Sequence, residues 1–171
     1  MFFLRYLERE ISLHPSFLGN NINDFLQRKL YEDMEGSCNG EYYIICIMDI
    51  YNVSAGKVRP GTGIAEFTIL YRAILWKPFK GEAIDCVVQG VKPQGVFCEA
   101  GPLSVFVSRI HLPRDYNYNP DATPVNYSGP EGDVIAKGQC VRVQILGLRS
   151  DVNQLFAIGK MSAGWFGVLG S

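Results

Sequence analysis

The side chains that most often carry out catalysis are few in this chain and poorly spaced for it. The two histidines are His14, which precedes a proline, and His111, and neither has a serine, cysteine or carboxylate at a spacing that suggests a catalytic triad. The pair Gly61-x-Gly63 lacks the third glycine and the following helix of a dinucleotide-binding loop. The sequence therefore predicts a protein that is not an enzyme and that uses no cofactor.

The cysteines do not have the spacing of metal ligands either. The chain has five of them and no C-x-x-C pair, which is the common signature of a zinc site. Most lie inside apolar, strand-like runs, so we expect small buried thiols in a reducing compartment and no metal. They are Cys38, Cys46, Cys86, Cys98 and Cys140.

One group of residues has the types that bind single-stranded nucleic acid. Alternation along two predicted strands puts Phe97 and Phe106 on the outer surface, where aromatic rings can stack on bases. Lys92, Arg109 and Arg142 are the cations expected to contact phosphates beside them. The alternative is that both phenylalanines cover an edge or pack against another domain or subunit. The residues expected to face inward are Ile84, Cys86, Val88, Val96, Cys98, Leu103, Val105 and Val107.

Charge and hydropathy limit how strongly nucleic acid can be bound. The chain has 16 basic and 17 acidic residues, a net charge of −1, and neither half is basic. Proteins that grip nucleic acid alone usually draw affinity from many phosphate contacts, so RNA binding is predicted to be weak and salt-sensitive. Charged residues are only 19% of the chain and mean hydropathy is +0.05. This composition indicates a permanent protein partner or, alternatively, a β-rich protein with an apolar surface.

The first part of the chain has the pattern of a small α+β unit. Residues 2–13 alternate as a strand, residues 22–34 have hydrophobic residues at helical spacing, and 42–53 and 65–76 are two further strands. Asn21 is predicted to cap the helix with Asp24 three residues later, and Gly36 to end it.

Two loops of this unit are candidates for docking on a partner. Pro15, Phe17 and Leu18 form an apolar group in a proline-broken loop, which is costly to leave in water. The alternative is a hydrophobic staple, in which Phe17 folds back onto the helix. The second loop, between the last two strands, contributes Val58, Arg59 and Pro60.

The second part of the chain is predicted to be all-β. After a hinge at 77–81 come five short strands, at 82–90, 95–100, 103–107, 139–146 and 154–161, with glycines near their ends, which suits a five-stranded OB-fold barrel. The stretch 108–137 is too long for an ordinary loop, so we expect it to be functional or disordered. We therefore predict domains at 1–79 and 80–171.

The N-terminus has no signal peptide and the longest apolar run, 42–48, is too short to span a bilayer, so a soluble, intracellular protein is expected.

Four segments resemble one protein family in order and spacing over nearly the whole chain. They are LHPSF-LG at 13–19, EGSCNG at 35–40, KPFKGE at 77–82 and GPLSVFVS at 101–108. The family is that of the larger polymerase stalk subunits, which includes the seventh subunit of eukaryotic RNA polymerase II and its archaeal counterpart. The resemblance implies a truncated ribonucleoprotein-like α+β domain followed by an OB-fold of the ribosomal S-one type.

The same resemblance implies a function without catalysis. The first domain would dock on the RNA polymerase II core at the base of the clamp, through the two loops named above. A small helical stalk subunit would pack along both domains, and the OB-fold would contact nascent single-stranded RNA weakly. The family supports transcription initiation, which implies the nucleus, with the cytoplasm as a second compartment.

One position departs from the pattern of such OB-folds. Relatives often have an RNA-facing histidine in the third strand, where this chain has Ser108, and His111 is at best a displaced substitute. Two other functions remain open on the sequence alone. One is a free-standing OB-fold RNA-binding factor in translation or RNA decay, and the other is the equivalent subunit of a different nuclear polymerase.

Overall fold

The computed structural model describes residues 1–130, 132–161 and 167–169. The chain divides into two compact units, Met1–Lys77 and Pro78–Ser171, whereas the sequence predicted domains at 1–79 and 80–171. No helix among the described residues has both the length and the apolar character needed to cross a membrane.

The first unit is an antiparallel sheet with one long helix. Strand β4 is central and pairs antiparallel with β1 on one side and with β2 and the short β3 on the other. The elements in chain order are β1 (Phe2–Leu13), a 3-10 turn (Pro15–Phe17), α1 (Ile22–Met34), β2 (Tyr43–Val53), β3 (Lys57–Val58) and β4 (Ala65–Trp76).

Of the two predicted ends of α1, only the C-terminal one has the predicted stabilising residue. Gly36 follows the helix with φ = 75°, the left-handed conformation that glycine adopts most easily after a helix. Asn21 does precede the first turn, but its side chain makes no capping hydrogen bond within the described part of the chain. The predicted cap is therefore wrong: the Phe25 amide donates to the Asn21 backbone carbonyl, and the asparagine amide group is not used.

Helix α1 covers one face of this sheet. Leu26 and Leu30 on the helix are almost completely buried and belong to the same core as the alternate residues of β4. The period of two along β4 explains this, because every second side chain points toward the helix. These alternate residues are Phe67, Ile69, Tyr71, Ala73 and Leu75.

The second unit contains a closed five-stranded barrel. Its strands follow the order β12-β7-β6-β5-β11, and the β11–β12 pairing closes it. Only the β7–β12 pair is parallel among the described strands, as expected when one strand returns to close the barrel. The strands in chain order are β5 (Ala83–Lys92), β6 (Gly95–Ala100), β7 (Leu103–Ser108), β8 (Asn117–Asn119), β9 (Asn126–Ser128), β10 (Val134–Ala136), β11 (Cys140–Asp151), β12 (Gln154–Lys160) and β13 (Gly167–Val168). An α+β unit followed by an all-β OB-fold confirms the predicted fold class.

The barrel interior is apolar and tightly packed. All eight residues predicted to face inward on β5, β6 and β7 are buried. Burial raises the pKa of the Cys86 and Cys98 thiols to about 12, so both remain protonated hydrophobes. The expectation of buried cysteines holds for Cys38, Cys86 and Cys98, but Cys46 is only half-buried and Cys140 is exposed at the start of β11.

The long stretch between β7 and β11 is ordered where it is described. Strands β8, β9 and β10 form a small antiparallel sheet. Tyr127 at its centre is fully buried and its ring packs against that of Tyr118, with 5.3 Å between centroids. At Gly129 a Cβ atom would lie 2.9 Å from the Tyr116 ring, so the absence of a side chain permits this packing.

Candidate nucleic-acid interface

Phe97 and Phe106 form an aromatic pair on the outside of the barrel, as the sequence predicted. They are direct partners in the β6–β7 ladder, and their ring centroids are 4.8 Å apart. Phe97 is 41% exposed and Phe106 is half-buried. Two adjacent rings on an open surface have the geometry on which nucleotide bases stack. We call Phe97 and Phe106 the aromatic platform.

Two of the three predicted cations lie at one end of this platform. The Lys92 ammonium is 5.0 Å from the centroid of the Phe97 ring, a cation–π distance. Arg109 follows β7, and its backbone amide donates to the carbonyl of Gln94 in the β5–β6 turn. Lys92 and Arg109 are therefore both placed next to the turn that joins β5 to β6.

Arg142 is engaged in an ion pair. Its Nε and Nη2 atoms donate to the two carboxylate oxygens of Asp85, at 2.6 and 2.9 Å, across the β5–β11 ladder. The guanidinium is the largest cause that lowers the pKa of Asp85 below its ordinary range. A guanidinium already held by two carboxylate oxygens has less charge to offer a phosphate. Arg142 is therefore the weakest of the predicted phosphate contacts.

His111 ends a short 3-10 turn after β7 and is held through its backbone. Its carbonyl accepts a hydrogen bond from the Met161 amide at 2.9 Å. The imidazole Nδ1 is buried and has no hydrogen-bond partner in the described ranges. This hydrogen bond attaches the His111 backbone to the residue that follows β12.

The aromatic surface extends one strand beyond the prediction. Ile158 on β12 is the direct partner of Phe106, and Phe156 is the partner of Ser104. Phe156 is 41% exposed. The sequence signal was present, because Phe156 and Ile158 alternate with the buried Leu155 and Ala157, but which strand lies beside β7 depends on barrel closure.

On the side of the platform away from the β5–β6 turn, β5, β6 and β7 each contribute a polar side chain. Glu99 lies two residues after Phe97 on the same face of β6 and is exposed. Gln89 Nε2 donates to Glu99 Oε2 at 2.9 Å, and Ser104 is the β7 partner of Glu99. None of these three residues was singled out from the sequence.

The two predicted docking loops lie at the same end of the first unit. Ala65 at the start of β4 pairs with Leu13 on one side and with Val58 on the other. A Cβ on Gly63 would be only 3.1 Å from the Pro15 ring. We call this end the tip, formed by Pro15, Phe17, Leu18, Val58, Arg59 and Pro60.

Within the tip, the exposed hydrophobic residues differ in their contacts. Phe17 is 47% exposed and its ring is 5.4 Å from that of Phe25 on α1, as in the staple interpretation. Val58 is 61% exposed, and Arg59 forms a 2.7 Å salt bridge with Glu66. A groove of about 570 Å³ beside Phe17 runs between the end of β1 and α1.

The sheet face opposite α1 has a group of exposed apolar side chains that was not predicted from the sequence. The half-buried Arg72, which is ion-paired with Asp49, lies on the same face. Phe2, Leu4 and Tyr6 on β1 pair with the β4 residues that alternate with the core, and are 66%, 55% and 57% exposed. Tyr51 on β2 is 54% exposed, with its ring 5.1 Å from that of Tyr6. We call this surface, with Leu70 and Ile74 of β4, the apolar sheet face.

Comparisons with known proteins agree with this two-unit architecture. Residues 8–63 match the model of the SHS2 domain found in the N terminus of Rpb7p, Rpc25p and MJ0397, and residues 77–157 match that of the S1 RNA binding domain. The described part of the chain contains no cluster of three or more His, Cys, Asp or Glu side chains able to hold a metal ion.

Several proteins are similar over nearly the whole chain. The DNA-directed RNA polymerase II subunit rpb7 of Schizosaccharomyces pombe is 48% identical over 171 residues, which cover 98% of this chain and 99% of the relative. The corresponding subunits of Dictyostelium discoideum and Saccharomyces cerevisiae are 40% and 39% identical over 172 residues, covering 99% of this chain and 100% of each relative. The resemblance drawn from the sequence is confirmed, and the chain belongs to the Rpb7 family of DNA-directed RNA polymerase II subunits.

Proposed function

We propose that this chain is a stalk subunit of RNA polymerase II that pairs with a smaller helical subunit, docks near the base of the clamp, supports transcription initiation and contacts nascent RNA. The observation that supports this most strongly is the nearly full-length match to relatives named as RNA polymerase II subunits. As a subunit of RNA polymerase II, the chain is located in the nucleus.

The apolar sheet face is the surface we assign to the helical partner. Phe2, Leu4, Tyr6 and Tyr51 are each more than half exposed. Soluble monomers rarely expose a contiguous apolar patch of this kind, because covering it with a partner removes apolar area from water. A permanent partner also accounts for the low content of charged residues, 19%.

The tip is the surface we assign to the polymerase core. Val58, at 61% exposure, and Leu18, at 40%, have little within their own unit to cover them. The pairing of Leu13 and Val58 with the same residue, Ala65, makes the two loops one surface. The two loops can therefore contact one groove of a partner together.

Contact with RNA is assigned to the aromatic platform, with Lys92 and Arg109 beside it. The affinity is weak, because the net charge is −1 and Arg142 is neutralised by Asp85. His111 is a secondary candidate for RNA contact, because the residue is half-buried and only part of it is accessible to a ligand. Weak contact suits a subunit that meets RNA only when the transcript is delivered to it at high local concentration.

The role is non-catalytic. His14 has a local structural use: its Nδ1 accepts from the Ser16 amide at 3.3 Å and lies 2.9 Å from Ser16 Oγ, which caps the 3-10 turn. The Nδ1 of His111 is buried and makes no hydrogen bond in the described part of the chain that would orient it as a catalytic base.

The test is co-expression of the full chain with and without the small helical stalk subunit, followed by size exclusion with light scattering. We expect the chain alone to self-associate and the pair to form a monodisperse one-to-one heterodimer. Leu4→Asp should abolish the heterodimer, because it puts a charge on the apolar sheet face. Val152→Asp is the matched control, since Val152 is 86% exposed in the β11–β12 turn.

A different result separates the alternatives. A well-folded monomer that ignores the helical partner and binds RNA alone would contradict the stalk function. A free-standing OB-fold RNA-binding factor would then be the better interpretation.

A further inference from the structure

The aromatic platform has opposite charges on its two sides. Along β6, Gly95 is the partner of Lys92, Phe97 follows two residues later, and Glu99 two residues after that, all on one face. The Lys92 ammonium lies 5.0 Å from the centroid of the Phe97 ring. On the other side, the backbone position of Glu99 is roughly 7 Å along the strand from that of Phe97, at about 3.3 Å per residue. Arg109 lies on the Lys92 side.

This asymmetry orients a bound nucleotide. A phosphate is attracted to the side of Lys92 and Arg109 and repelled by Glu99. A base stacked on Phe97 then points its hydrogen-bonding edge away from the phosphate, toward Glu99. The ionised Glu99 carboxylate can only accept hydrogen bonds, so the group that meets it must be a donor.

The neighbours of Glu99 hold its carboxylate in place. The Gln89 side-chain amide donates to Glu99 Oε2, with 2.9 Å between the two atoms. Ser104, directly across the β6–β7 ladder, adds a hydroxyl at the same side of the platform. A carboxylate fixed by a neighbour loses less conformational entropy when it binds a base.

We propose that Glu99 gives the aromatic platform a preference for bases that present an amino group, cytosine above uracil. The 4-amino group of cytosine donates to a carboxylate, whereas uracil presents the O4 acceptor at the same position and is repelled. The inference rests on the proposed contact with RNA, and it names the class of RNA segment that this contact favours.

The test compares short oligocytidine and oligouridine of equal length, by fluorescence anisotropy with the full chain in its heterodimer with the helical subunit, at neutral pH and one fixed salt concentration. We expect the wild type to bind oligocytidine tighter, on the order of threefold to tenfold. Glu99→Gln should bring the ratio close to one, mainly by tightening oligouridine, because the glutamine amide can donate to O4. Glu32→Gln on α1 is the control for the change in net charge and should leave the ratio unchanged.

The outcomes separate this inference from the function on which it rests. Equal binding of the two oligonucleotides by the wild type overturns the base preference and leaves the RNA contact standing. An equal gain for both in Glu99→Gln also overturns it, since Glu99 would then only repel phosphate. Absence of binding to either oligonucleotide overturns the RNA contact and, with it, the base preference.

Discussion

The hydroxyl of Tyr127 lies 2.9 Å from the backbone carbonyl oxygen of Lys92 and shares its proton with the carbonyl of Pro93 at 3.1 Å. This bond links the small β8–β10 sheet to the β5–β6 turn. Burial raises the pKa of the Tyr127 hydroxyl above its ordinary range, so the proton that it donates is retained at neutral pH. The turn that carries Lys92 is thus held by a residue 35 positions later in the chain.

Tyr127→Phe should weaken both the fold and the RNA contact. The change removes the link and leaves the two carbonyls with one donor fewer, which costs about 1–2 kcal/mol in the free energy of unfolding. Freed from this restraint, Lys92 should also hold RNA less well. Urea denaturation measures the first effect and fluorescence anisotropy the second. Tyr118→Phe, on the neighbouring ring, is the control, and an equal loss in both variants would contradict the special role of Tyr127.

Phe97→Ala and Phe106→Ala should reduce RNA affinity with little loss of stability. Stacking on an aromatic side chain contributes about 1–3 kcal/mol per base, so each variant should bind roughly 5- to 150-fold more weakly. Phe97 is partly exposed, and its removal opens no cavity in the barrel core. Anisotropy titration measures the affinity and thermal melting the stability. Phe79→Ala, at another exposed phenylalanine, is the control and should bind RNA as the wild type does. A large fall in melting temperature of Phe97→Ala or Phe106→Ala without weaker RNA binding would favour the packing alternative.

The tip should separate docking from stability. Val58→Asp, at a side chain that is 61% exposed, should prevent association with the polymerase core while thermal stability stays within about 0.5 kcal/mol of the wild type. Phe17→Ala should weaken docking and also lower the free energy of unfolding, because it removes the contact with Phe25. Co-purification of the core with the heterodimer measures docking. Retention of the core by Val58→Asp would remove this residue from the docking surface.

The strands and the aromatic pair could be predicted because they depend on local alternation. The strands at 65–76 and 95–100 have the predicted bounds, since buried and more exposed side chains alternate over most of each strand. The outward direction of Phe97 and Phe106 follows from the same period once their neighbours are assigned to the core.

What could not be predicted depends on pairing between distant segments. Arg142 and Asp85 are 57 residues apart, and only the register of β5 against β11 makes them an ion pair. Strands β8–β10 have three residues each, too few to display a period. Asn21 failed as a cap because its backbone, at φ = −103° and ψ = 25°, is outside the extended conformation typical of a capping residue, and residue type alone does not decide this.

The Asp85–Arg142 pair should make a small, pH-dependent contribution to stability. Arg142 lowers the pKa of Asp85, so the contribution is complete above the unfolded-state value of about 3.9 and is lost as the pH falls through the lower folded-state value. The difference in unfolding free energy between the wild type and Asp85→Asn should therefore shrink as the pH is lowered through this window. Urea denaturation over a pH series measures it. The Arg142 side chain is 40% exposed and that of Asp85 is 52% exposed, so added salt should reduce the difference in unfolding free energy. A difference that grows on acidification would contradict the assignment of this ion pair.

Gly159→Ala tests the closure of the barrel. Gly159 lies in β12 between its partners Val107 on β7 and Ile145 on β11. A Cβ there would be 2.2 Å from Val143 Cγ1 and 3.0 Å from Val105 Cγ1, far inside van der Waals contact. The strand must shift, which should cost about 1–3 kcal/mol in the free energy of unfolding.

The space around Gly159 also predicts a rescue. Val143→Ala should destabilise by itself by leaving a cavity, yet combined with Gly159→Ala it should cost less than the sum of the two single changes, because the new methyl occupies the vacated volume. A double-mutant cycle by urea denaturation measures this coupling. Gly147→Ala on β11 is the control, since a Cβ there meets no atom within 4 Å and should change stability by less than about 0.5 kcal/mol. Additive single effects would mean that Gly159 and Val143 do not face each other across a closed barrel.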